Sequence, residues 1–503
     1  MAAEVLRGVP LTTLLPPGAA SPADDRAVTS LALDSRAVGP GAAFVALPGQ
    51  AAHGLDYLDE ALRGGAAVVL HDWADPRWTA DADARCEAAG ALAMPVRDLA
   101  RQLGGIASRF YNEPTRAFDR VIAVTGTDGK TSVSHYIAAM LDEPEAPAAV
   151  VGTLGHGRVG QTEKARLTTP DAIALQTTFA ELASAGVRRV ALEASSHGLD
   201  QYRLDGTRID VAVLTQLGRD HLDYHGDEAT YAAAKARLFD WPGLGVAVLN
   251  TADAFGQRLA RALPASVRRV TYGAAGADLT LGALRCEATG LSFELRAGGG
   301  AHAVRVPLFG PFNADNLLAA AGALLAVGLA PSEIAHRMQR VGPVPGRMEL
   351  FHAPGRAGVV VDYAHNAGAL TAALAALRPH ATGRLWCIFG AGGDRDRGKR
   401  PLMGAAAAAG ADHVIVTDDN PRSEDPAAIV REILAGMPAP EAVEVEHDRG
   451  HALRRALTLA APDDLILLAG KGHETMQLRG DEILHFSDRD AARAALGFGG
   501  GAA

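Results

Sequence analysis

A hydrophobic strand that runs into a glycine turn and then a helix constrains this chain more than any other feature. The strand, Arg120–Thr125 (RVIAVT), is followed by the letters GTDGKT. Glycines let backbone N–H groups close around phosphate oxygens, and the N-terminus of the next helix adds partial positive charge. Lys130 is placed to neutralise β- and γ-phosphates, and the Thr131 hydroxyl to ligate Mg²⁺. Residues Thr125–Thr131, the phosphate loop, therefore predict a nucleoside triphosphate site.

The phosphate loop is shorter than the strict P-loop pattern, which requires a glycine six residues before the lysine. Val124 stands at that position, so the pattern is G-x-x-G-K-T. A glycine turn followed by a solvated lysine is the alternative interpretation. The strand before the turn and the helix predicted from about Thr131 favour phosphate binding.

Strand-like and helical stretches alternate on the C-terminal side of the loop, which predicts an α/β fold with a parallel sheet and crossover helices. The predicted strands of the central segment are Arg120–Thr125, Val187–Leu192, Val211–Leu214 and Val246–Leu249. Those of the last segment are Gly358–Asp362, Leu385–Phe389, His413–Thr417 and Leu465–Ala469. The last segment is typical of a smaller, open sheet of the Rossmann type.

A chain of 503 residues is too long for one hydrophobic core, so we expect several domains. Polar and Pro/Gly-rich breaks at 111–114 and 342–346 serve as linkers. They predict a small N-terminal α/β domain over residues 1–114, a central P-loop-type parallel sheet over 115–343 and a Rossmann-like C-terminal domain over 344–503.

Composition and charge exclude several classes of protein. A net charge of −10 without a long basic run disfavours a nucleic-acid partner. The three cysteines, Cys86, Cys286 and Cys387, are far apart, which argues against a disulfide framework or a structural zinc site and fits a reducing cytosol. Arg7 and three prolines interrupt the N-terminal twenty residues before a signal-peptide core could form. Without an apolar run of about 18 residues, no membrane span is expected, and we predict a cytoplasmic protein.

Polar clusters follow two of the central strands, where the active sites of α/β proteins gather. Glu193 follows one strand, and His221 lies in the cluster DHLDYH that comes after the next. Together they could hold Mg²⁺ near the phosphate loop. A single histidine is more often a hydrogen-bonded loop residue. Lys235, which lies in a helix among small residues, reads by itself as a surface charge.

Twelve segments in all three parts of the chain carry a family resemblance. They are DSR (Asp34–Arg36), TGTDGKT (Thr125–Thr131), LTTP (Leu167–Pro170), EASSHGLDQYR (Glu193–Arg203), DHLDYHG (Asp220–Gly226), the helix around Lys235, FNADN (Phe312–Asn316), PGRME (Pro345–Glu349), VDYAHN (Val361–Asn366), GAGGDRDRGKRP (Gly390–Pro401), DDNPRSE (Asp418–Glu424) and GKGHE (Gly470–Glu474). In this order they resemble the Mur ligases of peptidoglycan synthesis. The resemblance implies an ATP-dependent amide ligase with one domain each for a UDP-sugar, ATP and the incoming amino acid.

The resemblance also implies a role for each matched residue. The UDP-sugar substrate, UDP-MurNAc-L-Ala-D-Glu, would be held by Ser35, Arg36, Thr168, Thr169, Ser195, Gln201 and Arg203. ATP would contact Thr125, Gly126, Thr127, Asp128, Gly129, Lys130 and Thr131 of the loop, and Asn313, Asn316, Arg347, Asp362 and His365. The catalytic residues would be Lys130, Glu193, His221 and Lys235. Mg²⁺, the expected cofactor, would bind Thr131, Glu193, His221 and, once carbamylated, Lys235.

Within this family the chain looks like the branch that adds meso-diaminopimelate as the third peptide residue. The matched residues for that amino acid are Arg395, Asp419, Asn420, Arg422, Gly470 and Glu474. Arg422 can grip the second carboxylate of diaminopimelate in a bidentate fork. The alternatives are ligation of lysine, a P-loop kinase or switch, and a catalytically weak relative kept for binding. We expect a monomer, with ATP and the two other substrates as its partners.

Three departures from the family pattern bear on the ATP contacts. Asp128 stands where the family usually has Asn, and an acid beside phosphates is unfavourable unless it points away or toward Mg²⁺. Gly218 replaces a Ser or Thr, and the segment 366–368 (NAG) replaces the usual Thr-Pro-Asp. The motifs for the UDP-sugar and diaminopimelate are unaffected.

Overall fold

The computed structural model describes residues 8–49, 52–165 and 167–498. The chain forms two compact units, Met1–Val270 and Thr271–Ala503. The predicted domain boundaries at 114/115 and 343/344 stay predictions. The ends of the first and last predicted domains, residues 1–7 and 499–503, lie outside the described residues, as does Arg7 of the signal-peptide argument.

The first unit alternates strands and helices, as predicted. Its strands, including one that crosses into the second unit, are Val9–Pro10, Ala27–Val28, Leu31–Ala32, Ala43–Ala46, Val68–Asp72, Leu92–Val96, Arg120–Thr125, Ala148–Gly152, Gly155–Arg158, Gln161–Glu163, Arg189–Glu193, Val211–Leu214, Val246–Asn250 and Arg268–Tyr272. Its helices are Leu11–Leu14, Leu58–Arg63, Ala80–Ala88, Leu99–Phe110, Lys130–Leu141, Ala172–Ser184, Ser196–Asp200, Leu222–His225, Glu228–Ala236 and Ala254–Ala262.

The strand Arg120–Thr125 lies inside a sheet with parallel neighbours on both sides. Val121 pairs with Val190 of one neighbour, and Val124 pairs with Val213 of the other. The residues from Val121 to Val124 are completely buried, which explains the unbroken hydrophobic run in the sequence. Because the strands are parallel, Thr125, Glu193 and the loop after Leu214 all come to the same edge of the sheet.

A separate parallel sheet of four strands stands nearer the N-terminus, in the order Leu31–Ala32, Ala43–Ala46, Val68–Asp72 and Leu92–Val96. The helix Leu99–Phe110 covers one face of it. Leu99, Leu103, Ile106 and Phe110 are buried at helical spacing in the core that this sheet and helix share.

The second unit contains another α/β sheet. Its strands are Leu279–Glu287, Gly290–Ala297, Gly300–Val306, Glu349–Phe351, Gly358–Asp362, Leu385–Phe389, His413–Val416, Glu444–Val445, Leu465–Ala469, Met476–Arg479 and Glu482–His485. Its helices are Phe312–Ala326, Pro331–Met338, Ala367–Leu377, Lys399–Gly410, Pro426–Leu434, Arg449–Leu459 and Asp488–Ala495.

The four strands predicted for the last segment form the middle of this sheet. They are parallel and pair in the order Gly358–Asp362, Leu465–Ala469, Leu385–Phe389 and His413–Val416. Their carboxyl ends therefore gather the loops that begin at Tyr363, Gly390, Thr417 and Gly470 at one edge, as the Rossmann-like prediction requires.

Three antiparallel strands between 279 and 306 were not predicted. Buried and exposed side chains tend to alternate along Gly290–Ala297 and its neighbours, and Gly290 and the pair 298–299 turn the chain between strands with positive φ.

All three cysteines are free, and burial raises the pKa of Cys387 to about 12, so this thiol is inert. Among the described residues, no helix combines the length and apolar character needed to cross a membrane.

Candidate active site

The phosphate loop turns on two glycines with positive φ, Gly126 at 149° and Gly129 at 82°. A Cβ on Gly126 would lie 1.8 Å from the Thr215 hydroxyl oxygen, so no side chain fits there. The Thr215 hydroxyl donates to the Asp128 carbonyl at 2.6 Å and anchors the loop from the neighbouring strand end. Lys130, the first helical residue, donates through Nζ to the carbonyls of Gly126 (3.0 Å) and Thr127 (2.8 Å).

Glu193 and Thr131, which were both predicted to bind Mg²⁺, meet at the edge of the sheet. The Thr131 hydroxyl donates to Glu193 Oε2 at 2.9 Å, and the Glu193 side chain is almost fully buried. Thr153, which lies in none of the motifs, donates its backbone N–H to Oε1 (2.8 Å) and its hydroxyl to Oε2 (3.1 Å). No spacing pattern marks Thr153, because it lies 40 residues from Glu193 in the chain.

This cluster fits a magnesium ion by the chemistry of its donors. Mg²⁺ is held by one or two carboxylates together with substrate phosphates and water. Glu193 supplies a carboxylate and Thr131 a hydroxyl at the start of the phosphate-binding helix. No group of three or more His, Cys, Asp or Glu side chains suited to a metal occurs in the described part of the chain. A bound ion would therefore rely on phosphate oxygens for much of its coordination.

Lys235 is not a surface charge. It is 1% exposed, its Nζ donates to the Gly126 carbonyl at 2.7 Å, and it lies 4.5 Å from the centre of the Tyr231 ring. Burial and, next, the charge of Lys130 lower the pKa of Lys235 to about 6. The amine is therefore largely neutral at neutral pH, whereas an exposed lysine is an ammonium ion.

His221 occupies a more exposed position than its predicted role suggests. Its side chain is about half exposed, its φ is 52°, and Nε2 lies 3.4 Å from Asp220 Oδ2. The rings of His197 and Tyr231 are its neighbours, with centroids at 4.8 and 6.4 Å. Within the described residues no hydrogen bond or ion pair joins His221 to Glu193. Its part in metal binding stays a prediction.

Asp128, the unusual residue of the loop, turns its carboxylate toward Gln216. Gln216 Nε2 donates to Asp128 Oδ2 at 2.9 Å, so this oxygen is occupied by an amide. The adjacent Thr127 shares a hydrogen bond with the Tyr231 hydroxyl at 3.0 Å and accepts one from the Gly218 N–H at 2.8 Å. Gly218 thus binds the loop through its backbone, although it lacks the hydroxyl of its usual counterpart.

Five of the seven predicted UDP-sugar residues form one connected network. Thr169 donates to the Glu193 carbonyl (2.7 Å) and accepts from the Ser195 N–H (3.0 Å), while Arg203 donates to the Thr169 carbonyl (2.8 Å) and to Gln201 Oε1 (2.6 and 3.0 Å). Thr168 reaches the same region through Thr153 Oγ1, 3.1 Å away.

Ser35 and Arg36 stand apart from that network. The Ser35 hydroxyl donates to Glu60 at 2.6 Å, and Arg36 pairs with Asp34 while remaining 79% exposed. In the described chain neither makes a hydrogen bond to the other five residues. Their predicted contact with the UDP-sugar therefore depends on the reach of the ligand.

The predicted nucleotide residues of the second unit lie in two places: Asn313 and Asn316 at the start of a helix, and Arg347, Asp362 and His365 around Tyr363. Asn313 Nδ2 donates to the Phe309 carbonyl (2.8 Å), and Asn316 donates to Asn313 Oδ1 (3.1 Å), at the start of a helix. The Arg347 guanidinium lies over the Tyr363 ring at 4.8 Å.

Asp362 ends the strand next to Tyr363 and accepts backbone N–H groups from Met348 and Ala364, each at 2.9 Å. Burial raises its pKa. His365 Nδ1 lies 2.8 Å from the Tyr363 carbonyl. The His365 carbonyl accepts a hydrogen bond from Lys399 at 2.9 Å, and Lys399 was not among the predicted nucleotide residues. Asn366, the first residue of the departing segment 366–368, caps the next helix by accepting from the Ala369 N–H at 2.8 Å.

The predicted amino-acid site is compact around Asn420 and Glu474. Asn420 Nδ2 donates to Glu474 Oε2 at 3.0 Å, and Lys471 Nζ contacts Asn420 Oδ1 (3.1 Å) and Glu474 Oε2 (2.9 Å). Lys471 lies inside the GKGHE motif but was not among the residues predicted for this site. It is completely buried.

Arg422 lies beside these residues in a left-handed backbone conformation, with φ of 53°. The backbone N–H of Arg422 donates to the Leu478 carbonyl at 3.0 Å, and the Leu478 N–H donates to Asn420 Oδ1 at 3.0 Å. Leu478 therefore links the Arg422 backbone to the Asn420 side chain. Arg422 Nη1 donates to the Gly393 carbonyl at 2.7 Å. Among the described residues its Nε and Nη2 make no hydrogen bond, which leaves two donors for a ligand.

The remaining residues predicted for the amino-acid site are Arg395, Asp419 and Gly470, and their neighbours include residues already described. Gly470 has φ of 119°, and a Cβ there would lie 2.5 Å from Asp419 Oδ2, so only glycine permits this approach. Arg395 stands on the loop of Gly392, where a Cβ would lie 3.8 Å from the Arg395 Cγ and 2.9 Å from Arg422 Nη1.

Comparison with known proteins decides the family. The models described as the Mur ligase family catalytic domain, the Mur ligase middle domain and the Mur ligase glutamate ligase domain match residues 27–111, 124–324 and 346–472. A protein of Alkalilimnicola ehrlichii named UDP-N-acetylmuramoyl-L-alanyl-D-glutamate–2,6-diaminopimelate ligase is 50% identical over 492 residues, 97% of this chain and 98% of that protein. The chain belongs to the Mur ligase family. The predicted family and enzyme class, an ATP-dependent amide ligase, are thereby confirmed.

Two further relatives agree with this assignment. A Mur ligase of Xanthomonas campestris with the same name is 46% identical over 494 residues, covering 97% of this chain and 98% of that one. A solved structure of a UDP-N-acetylmuramoyl-L-alanyl-D-glutamate–2,6-diaminopimelate ligase has a TM-score of 0.71 and 35% identity, and the alignment covers 97% of this chain and 99% of the other. The α/β, three-domain fold class predicted from the sequence is confirmed.

Proposed function

We propose that this Mur ligase joins meso-2,6-diaminopimelate to the γ-carboxylate of the D-glutamate in UDP-MurNAc-L-Ala-D-Glu, using ATP, during peptidoglycan precursor synthesis. The observation that carries the proposal is the position of Arg422. Its backbone is joined through Leu478 to the Asn420 side chain, which donates to Glu474, and two of its guanidinium nitrogens, Nε and Nη2, make no hydrogen bond among the described residues. Open guanidinium donors suit a carboxylate of the amino acid, and the Glu474 carboxylate suits an ammonium group.

The names of the relatives favour diaminopimelate over lysine as the amine. Both curated relatives and the solved structure carry diaminopimelate in their names. A kinase or switch that uses only the phosphate loop does not explain why residues 27–111 and 346–472 also match Mur ligase domains. Asp128 and Gly218 were the reason to consider a catalytically weak relative kept for binding. Both residues nevertheless form hydrogen bonds that support the phosphate loop, because Asp128 accepts from Gln216 and the Gly218 N–H donates to Thr127.

The proposed reaction has two steps. The γ-carboxylate oxygen of the substrate attacks the γ-phosphorus of ATP, which gives an acyl phosphate and releases ADP. The diaminopimelate amine then attacks the activated carbonyl carbon, loses a proton and expels phosphate, so that an amide forms. The protein contributes position and charge stabilisation rather than covalent chemistry.

Named groups of the first unit would act on ATP. Lys130, now bonded to the Gly126 and Thr127 carbonyls, would turn to the phosphates and offset their charge. The loop N–H groups and the helix N-terminus at Lys130 would bind phosphate oxygens. Glu193 and Thr131 would hold Mg²⁺, with His221 and carbamylated Lys235 as further candidates. When bound, this ion would neutralise charge on the phosphates.

Release of phosphate tests the proposal directly. Purified enzyme is incubated with Mg·ATP and UDP-MurNAc-L-Ala-D-Glu, and diaminopimelate is compared with lysine. We expect turnover with diaminopimelate that exceeds turnover with lysine at least roughly 100-fold, as expected for a site built to bind a polar group that lysine lacks. Arg422→Ala should raise the KM for diaminopimelate by about 100-fold or more, with the KM for ATP little changed. Equal use of both amines contradicts the proposal.

The predicted cytoplasmic location and monomeric state remain predictions. Light scattering of the purified protein measures the second.

A further inference from the structure

Lys471 is a buried cation that contacts two members of the predicted amino-acid site. Its side chain is fully buried, and Nζ donates to Asn420 Oδ1 at 3.1 Å and to Glu474 Oε2 at 2.9 Å. An ammonium ion in the interior is costly unless it is paired and hydrogen-bonded. The Glu474 carboxylate, whose side chain is one third exposed, provides the opposite charge.

The contacts of Lys471 fix the orientation of the Asn420 side chain. An ammonium group and a backbone N–H can only donate, so the atom of Asn420 that faces Lys471 Nζ and the Leu478 N–H must be the oxygen. The Glu474 carboxylate can only accept, so the atom that faces it must be the amide nitrogen. All three neighbours therefore select the same one of the two possible amide orientations.

This arrangement leaves one donor and one acceptor for a ligand. The second hydrogen on Asn420 Nδ2 is not used by Glu474, because one N–H makes the bond at 3.0 Å. Glu474 Oε1 makes no hydrogen bond within the described residues, since both Asn420 and Lys471 use Oε2. A carboxylate suits the free N–H, and an ammonium group suits the free oxygen.

We infer that Lys471 is a positioning residue for the incoming amino acid. It holds the Asn420 amide and the Glu474 carboxylate so that they meet the carboxylate and ammonium groups of one end of that molecule. This inference rests on the proposed function, because it assumes that diaminopimelate binds here. Without the Lys471 ammonium, only the Leu478 N–H and the Glu474 carboxylate orient the Asn420 amide, and Glu474 loses the cation that holds it, so both groups are less firmly placed for the substrate.

The test is the replacement of Lys471 by methionine, which keeps the length of the side chain and removes its charge and donors. We expect the KM for diaminopimelate to rise roughly 10- to 100-fold, the loss associated with charged hydrogen bonds. The KM values for ATP and UDP-MurNAc-L-Ala-D-Glu should stay within about twofold of wild type, because neither of these substrates is predicted to contact Asn420 or Glu474.

Arg384→Met is the matched control. Arg384 pairs with the buried Asp464 at 3.1 Å, so its loss also removes a cation from a buried carboxylate in the same unit. It precedes the strand Leu385–Phe389, whereas Lys471 follows the parallel strand Leu465–Ala469, so the two lie at opposite edges of the sheet. We expect a lower melting temperature and an unchanged KM for diaminopimelate. If the Lys471→Met protein does not fold, the same KM values are measured for Lys471→Gln, whose side chain is uncharged but keeps an NH₂ group that can donate.

The possible results separate the two proposals. A selective rise in the KM for diaminopimelate supports the positioning role. A wild-type enzyme that uses diaminopimelate, with a Lys471 variant whose KM for it is unchanged, overturns that role and leaves the proposed function intact. A Lys471 variant that behaves as expected of the Arg384 control, with a lower melting temperature and no selective change in the KM for diaminopimelate, also overturns that role. A wild-type enzyme that does not use diaminopimelate overturns the proposed function and, with it, the role of Lys471.

Discussion

Lys130 and Lys235 donate hydrogen bonds to the same carbonyl oxygen, that of Gly126, at 3.0 and 2.7 Å. Two amines on one acceptor repel each other if both are charged. Lys235 is the buried one of the two, and burial together with the charge of Lys130 lowers its pKa to about 6, so it loses its proton more readily. The Gly126 carbonyl therefore accepts from a lysine, Lys235, whose amine is largely neutral at neutral pH.

A neutral lysine amine reacts with carbon dioxide, so we predict that Lys235 is carbamylated in bicarbonate at pH 7 to 8. The pKa is lowered, so the reactive neutral form is present above about pH 6 and is lost as the pH falls through that value. In ¹³C-bicarbonate, the carbamate signal should be observed by NMR at pH 7.5 and should decline below pH 6.

The chain has five lysines, which makes assignment simple. Lys235→Arg should abolish the carbamate signal. Lys399→Gln is the control, because burial also lowers the pKa of Lys399 but this residue lies beside His365 and not in the phosphate loop. A signal that survives Lys235→Arg, or one that strengthens below pH 6, contradicts the prediction.

Glu193→Gln tests the proposed metal site. The substitution keeps the size of the side chain but replaces one oxygen with a donor, which opposes the N–H of Thr153 and the hydroxyls of Thr131 and Thr153. We expect kcat to fall by roughly 100-fold and the Mg²⁺ concentration for half-maximal rate to rise. Both are measured by phosphate release across a magnesium titration.

Glu181→Gln serves as the control for Glu193, because Glu181 is an exposed carboxylate of the same unit. It should leave the magnesium titration unchanged. The metal-site proposal fails if Glu193→Gln gives the same titration curve as wild type.

The ion pair between Arg449 and Asp488 should be a main determinant of stability in the second unit. Both side chains are completely buried, with Nε–Oδ1 and Nη2–Oδ2 distances of 2.7 and 2.8 Å. Asp488→Asn leaves a buried guanidinium without its counter-charge. We expect the free energy of unfolding to fall by about 3–5 kcal/mol, measured by urea denaturation.

Replacing both partners should cost less than replacing one, because no buried charge is then left over. Arg449→Met combined with Asp488→Leu is therefore expected to be more stable than Asp488→Asn. Arg378→Gln, which breaks an ion pair with Asp412 that is nearly half exposed on each side, should change stability by less than about 1 kcal/mol. Equal losses for the buried and exposed pairs would refute the expectation.

Much of the fold could be predicted because the central strands are buried on both faces. The bounds of Arg120–Thr125, Val211–Leu214 and Leu385–Phe389 were predicted to the residue, since continuous hydrophobic runs end where the chain leaves the sheet. The antiparallel strands from 279 to 306 lack such continuous runs: half-buried and exposed residues interrupt Leu279–Glu287, and Gly282 to Arg285 shift its register against the next strand.

The candidate sites divide in the same way. Thr125–Thr131 could be predicted because strand, glycines, lysine and helix are adjacent in the chain. The local sequence around Lys235 indicates a surface charge, and only the family resemblance marked this residue, because its contacts are with Tyr231 and with the carbonyl of Gly126, which lies 109 residues away. Thr153 lies in no recognised motif, and Lys471 lies in the GKGHE motif without a role of its own there, so the importance of both is evident only from the atoms they contact.

The crowding at Gly126 bears on how this enzyme could be inhibited. Its carbonyl is already an acceptor for two lysines, and the place where its side chain would begin is occupied by the Thr215 hydroxyl. An inhibitor that anchors on the backbone here contacts a residue that no substitution can replace without moving the loop. Resistance mutations would have to arise elsewhere, so the compound should be designed to take most of its affinity from this turn.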